Sequence, residues 1–195
     1  MPAKPQTLED AFVEELRDLY DAEKQLIKAL PKMAKAAHAE PLREAFREHL
    51  EVTKTQAQRL ERIFEMLGQK ARSKPCKGMK GLLEEGQEII EEDAGAQENI
   101  ADLDLIAAAQ KVEHYEISGY GTARTFAQAI GQKDAAQLLD ETAKEEGEAD
   151  KKLTQLAKTL YKEAFKAQRG GVRSMGNGSS RPRRVRAGEE QAAQA

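Results

Sequence analysis

Apolar residues recur along the chain at three- and four-residue intervals. Phe12, Leu16, Leu19, Leu26, Leu30 and Met33 form one stripe, the spacing of a helix that buries a single face. Thr7 precedes the stripe as an N-cap, and Glu9 and Asp10 suit the positive helix end. Pro31 lies inside this helix and predicts a kink before the helix ends near His38. A second stripe, Phe46, His49, Leu50, Thr53, Ala57, Leu60, Phe64 and Leu67, predicts a helix from Pro41 to Leu67, with Gly68 as its C-terminal cap. Only a few residues join the two helices, so they are predicted to be antiparallel neighbours.

Residues 69–78 read as a loop, followed by a short helix from Met79 to Asp93. A long helix is predicted from Gln97 to Ile130. Gly131-Gln132 then turns the chain directly into a further helix, Lys133 to Phe165, which makes a second antiparallel hairpin. The crossover between hairpins can run from one end of a bundle to the other at about 1.5 Å per helical residue. Two hairpins joined by one long crossover is the ferritin-like arrangement of an all-α four-helix bundle, here with a short fifth helix in the crossover. From Arg169 the periodicity stops and Gly, Ser and Arg take over. Residues 1–168 are therefore expected to form the bundle and 169–195 a disordered basic tail.

Composition narrows the function. The 195 residues are 39% apolar and 33% charged, with a net charge of −3. The charge is uneven: from Lys166 onward seven Lys/Arg face only Glu189 and Glu190, so the body is acidic. An acidic body argues against nucleic-acid binding by the bundle. The tail segment RPRRVR (181–186) is the stretch that could contact nucleic acid or an acidic partner. A single cysteine, Cys76, excludes a disulfide framework and any Cys-based zinc or iron–sulfur site, and fits a reducing compartment. No apolar run approaches the roughly 18 residues of a membrane span. The first residues show no secretion signal, so a cytoplasmic location is expected.

The informative feature is where certain acids fall. Glu23 interrupts the first stripe between Leu19 and Leu26. Glu113 lies mid-face with Ile106, Ile117 and Tyr120, and Glu116 lies at the edge of that face. Leu138, Thr142, Glu145, Ala149, Leu156 and Leu160 repeat with heptad spacing and put Glu145 on a seam; Glu146 beside it leaves open which of the two points inward. A buried carboxylate without a partner costs several kcal/mol or shifts its pKa. Acids from three helices at one height need cations, either Lys/Arg or metal. Arg124 is the candidate internal cation, but it lies three turns from Glu113, which favours metal. His49, with Thr53 and Gln56, is on the inner face of the second helix, while Glu51 falls on its polar side. Glu-x-x-His occurs nowhere, so the donor set is rich in oxygen and suits iron or manganese, or even magnesium or calcium.

Several segments carry a resemblance. LYDAEKQL (19–26) with ALPKMA (29–34), FREHLEVT (46–53), IAAAQKVEHYEISGYGT (106–122) and LLDETAKEE (138–146), with Asp150 and Leu153, resemble the four bundle helices of the YciF/YciE-like bacterial stress-response family. The resemblance spans about residues 6–160. It implies a ferritin-like fold, a homodimer and a di-metal centre, and it supports Glu23, Glu113, Glu116 and Glu145 as metal ligands. It adds Glu51, against the helical periodicity, which prefers His49. Lys54 stands where relatives can show a histidine that would complete Glu-x-x-His with Glu51.

Two functions follow as expectations. One is a di-iron or di-manganese carboxylate protein with ferroxidase- or peroxidase/catalase-like chemistry, in which Tyr20 and Tyr120 are read as core tyrosines with wet hydroxyls. The alternative is a non-enzymatic dimeric scaffold whose buried acids are structural and whose basic tail is an interaction arm.

Overall fold

A computed structural model describes residues 5–92 and 97–175, with side chains through Lys166. Among the described residues five helices follow one another: α1 (Leu8–Ala36), α2 (Glu40–Met66), α3 (Lys77–Glu92), α4 (Glu98–Ala129) and α5 (Lys133–Met175). Among the described residues there is no strand, and no helix is long and apolar enough to cross a membrane. α1 runs unbroken through Pro31. α5 continues to Met175, so residues 169–175 are helical where a tail was predicted. Once a helix is formed each further residue adds a hydrogen bond at little cost, and the Gly170-Gly171 pair weakens this without forbidding it. Residues 176–195, including RPRRVR (181–186), lie outside the described residues, as does the predicted end of the short helix at Asp93.

The helix ends are set by local chemistry. Thr7 Oγ1 accepts from the Asp10 amide at 3.0 Å while Asp10 accepts from the Thr7 amide at 3.2 Å, a reciprocal capping box. Gly68 and Gly131 follow α2 and α4 with φ of +67° and +78°, a left-handed conformation that glycine adopts without a Cβ penalty. α2 has no side-chain cap of its own. Asp102 of α4 takes that role from across the fold: its carboxylate accepts from the amides of His38 at 2.8 Å and Ala39 at 2.7 Å.

α1 pairs with α2 and α4 with α5; α1 also packs on α4 and α2 on α5, closing a four-helix bundle. α3 lies against α1 and α4, so α4 is covered on three sides and buries residues almost all round. The crossover is tied to α1, the Cys76 amide donating to Asp21 at 2.8 Å and the Lys74 amide to the Arg17 carbonyl at 3.1 Å, while the Tyr115 hydroxyl of α4 donates to Asp18 of α1 at 2.8 Å.

The core is divided in two. One apolar cluster holds Leu26, Leu30, Leu42, Phe46, Met79, Leu105, Ile106 and Leu153; the other holds Phe12, Leu16, Leu19, Leu60, Ile63, Phe64 and Leu139. Between them, at mid-height on all four bundle helices, lie buried polar residues: Glu23 from α1, Thr53 and Gln56 from α2, Glu113 and Glu116 from α4, and Thr142 and Glu146 from α5. A polar stratum inside an apolar bundle is costly unless its groups are paired or ligated.

Candidate metal centre

Each helix delivers its polar side chain by interrupting its own apolar stripe. Glu23 follows Leu16 and Leu19 and precedes Leu26 and Leu30 on α1, and its side chain is fully buried. Glu113 and Glu116, one turn apart on α4, are 3% and 0% exposed. His49, one turn before Thr53 on α2, reaches the same layer.

The groups converge. Ligand atoms of His49, Glu113, Glu116 and Glu146 all lie within 4.8 Å of one another. His49 Nε2 is 3.5 Å from Glu113 Oε1 and 3.6 Å from Glu146 Oε2. The Tyr120 hydroxyl donates to Glu23 Oε1, and Gln56 Nε2 donates to Glu146 Oε1. Many lone pairs stay unused. Both oxygens of Glu116, Oε2 of Glu23, Glu113 and Glu146, His49 Nε2 and Gln56 Oε1 are buried without a hydrogen-bond partner. Buried polar atoms in folded proteins are almost always satisfied, so this concentration of orphans at one height fits a site for cations.

Electrostatics agree. Burial first, and then the neighbouring acids, push the carboxyls of Glu23, Glu113 and Glu116 well above the usual range. Burial raises Glu146 to about 7 and lowers His49 to about 4. The His49 imidazole is thus a neutral nitrogen donor at physiological pH, while the acids repel one another whenever they ionise.

The structure corrects several expectations. Glu51 is exposed and pairs with Lys54 at 2.7 Å on the outer face of α2, as its periodicity indicated and against the resemblance. Glu145 is turned outward, and Arg59 holds it through two bonds of 2.5 and 2.6 Å; Glu146 points inward instead. The reason is a rotation of one residue: the buried line of α5 is Leu139, Glu146, Leu153 and Leu160, whereas the line through Leu138 and Glu145 continues to Lys152 and Thr159. Glu116 is fully buried rather than at an edge. Tyr120 has no wet hydroxyl; the group is buried against Glu23. Tyr20 does sit at the surface, its hydroxyl donating to Glu61 at 2.6 Å. Arg124 pairs outward with Asp140 at 2.5 Å, and Arg59, paired with Glu145, is the arginine whose charge reaches Glu23 and Glu146. Arg59 is legible in the sequence as the residue one turn beyond Gln56 on α2.

A cavity of about 380 Å³ opens between α2 and α5 and reaches His49 and Glu113; Phe46, Val52, Ala149 and Leu153 are among its apolar walls.

Comparison with known proteins places this architecture. Protein YciF of Escherichia coli (strain K12) is 47% identical over 152 residues, covering 77% of this chain and 90% of the relative. The crystal structure of the E. coli stress protein YciF superposes with a TM-score of 0.78 at 45% identity, over 81% of this chain and 99% of that one. YcfI from Rhodopseudomonas palustris gives a TM-score of 0.75 at 38% identity, over 79% and 97%. A protein of Xanthomonas campestris shares the fold at 18% identity, with a TM-score of 0.64 over 84% and 99%. Residues 7–166 match the domain of unknown function DUF892, and the chain belongs to that family.

Proposed function

We propose that the mid-bundle layer is a centre for two iron or manganese ions and that the protein handles oxidants through it, with ferroxidase- or peroxidase/catalase-like activity. The observation that carries this reading is Glu116: its carboxylate is fully buried, has no hydrogen-bond partner on either oxygen, and lies within 4.8 Å of ligand atoms from three other side chains. Four buried carboxylates, Glu23, Glu113, Glu116 and Glu146, together carry the charge that two divalent cations neutralise. The oxygen-rich set with one imidazole suits iron and manganese. The name of YciF as a stress protein supports the same direction.

A bound redox metal supplies electron transfer to or from oxygen species, chemistry that these side chains lack. The chain does the rest. Glu113, Glu116 and Glu146 supply anionic oxygens, and His49 supplies a neutral nitrogen. Tyr120 holds Glu23 in one orientation, and Gln56 holds Glu146. The apolar clusters on either side exclude bulk water, and the α2–α5 cavity admits small molecules.

Elemental mass spectrometry on protein purified aerobically without chelator tests the reading. The expected result is close to two iron or manganese ions per chain, with loss on Glu113→Ala. Protein that carries neither metal and cannot be loaded would instead be a helical scaffold with structural acids.

A further inference from the structure

Adjacent residues of α5, Glu145 and Glu146, have opposite fates, and α2 separates them. Arg59 grips Glu145 with both terminal nitrogens and donates to Thr142 Oγ1 at 3.1 Å. One turn earlier, Gln56 Nε2 donates to Glu146 and also to Glu145 Oε2 at 3.2 Å. The two carboxylates thus share an amide donor, and Glu145 lines the same cavity as His49 and Glu113. Glu145 thus lies beside the buried layer, with its carboxylate bound by the guanidinium. Arg59 is only 19% exposed at its side chain, and its planar fork matches a carboxylate in a way an ammonium does not.

We propose that Arg59 is a positioning residue that selects Glu146, not Glu145, as the α5 ligand of the metal centre and so keeps a fifth carboxylate out of it. The inference rests on the metal reading above and deepens it. Removing the guanidinium frees Glu145 to turn into the layer, where it adds a negative oxygen donor.

Cobalt(II) titration of the metal-free protein, followed by visible absorption, reads ligand identity without any assay of activity. Wild type is expected to develop cobalt bands that Glu145→Gln leaves unchanged and Glu146→Gln alters. Arg59→Leu is expected to shift the bands, and adding Glu145→Gln to Arg59→Leu to restore them. A band change on Glu145→Gln alone overturns the proposal, because Glu145 would then already be a ligand; this variant serves even if Arg59→Leu fails to fold. Wild-type bands retained in a folded Arg59→Leu overturn it too. No cobalt uptake by wild type defeats the metal reading itself, and this inference with it.

Discussion

The Tyr120 hydroxyl of α4 donates its hydrogen to Glu23 of α1, both side chains being at most 1% exposed. The bond ties the two hairpins together at the level where their apolar packing is interrupted. The bond is to Glu23 Oε1 and Oε2 has no partner, so loss of the tyrosine oxygen leaves a wholly unsatisfied carboxyl. Tyr120→Phe is therefore expected to destabilise the metal-free protein by about 1–3 kcal/mol. Urea unfolding followed by circular dichroism measures it; an unchanged midpoint would mean that the bond contributes nothing.

Glu116 gives the opposite sign without metal. It adds a buried carboxyl to a layer that already holds Glu23, Glu113 and Glu146. Glu116→Gln removes the cost of burying that carboxyl and keeping it protonated, so the metal-free variant is expected to melt above wild type. Added manganese or ferrous iron reverses the order. A ligand at a hundred times its Kd stabilises by about 2.7 kcal/mol, and the variant forfeits much of that gain. Melting curves with and without metal decide it, and a variant that gains as much as wild type refutes a ligand role for Glu116.

Stability of the metal-free protein is expected to fall as pH rises from 6.5 to 8.5. Carboxyls whose folded-state pKa is raised, Glu146 to about 7 and Glu23, Glu113 and Glu116 well above the usual range, hold protons that the unfolded chain has released. Their contribution is complete below the unfolded pKa and is lost as pH climbs through the folded value. His49, lowered to about 4, works the other way, losing stability as pH drops below its unfolded value, and has no effect above it. Urea midpoints at pH 6.5, 7.5 and 8.5 read the slope; a rising midpoint contradicts the buried, protonated acids.

Asp102 tests the crossing between hairpins away from the buried acidic layer. It accepts from two backbone amides just before α2 and is 1% exposed. Asp102→Ala orphans both donors, and loss of a cap alone costs about 0.5–2 kcal/mol. A decrease of that size or larger is expected in thermal or urea unfolding, with cobalt bands unchanged in the folded variant.

Helix periodicity and punctuation determined most of this protein. The stripe through Phe12, Leu16 and Leu19, the cap at Thr7 and the glycines at 68 and 131 place four long helices and their turns, because hydrogen bonding and burial within a helix depend on neighbours a few residues away. The same logic exposed Glu23 and Glu113 as acids inside apolar stripes and put His49 inward and Glu51 outward. On α5 the longer line Leu139, Glu146, Leu153 and Leu160 carried the right answer, since Lys152 and Thr159 break the line through Glu145.

Tertiary structure alone decided the partnerships. That Arg59 of α2 takes Glu145, that Tyr120 meets Glu23, and that Asp102 caps a helix more than sixty residues earlier all depend on how helices far apart in sequence are rotated and raised against one another. Periodicity assigns a residue to a face within its own helix, but it carries no information on which residue of another helix stands opposite at the same height. The convergence of His49, Glu113, Glu116 and Glu146, a group that could hold a metal ion, is a property of that packing.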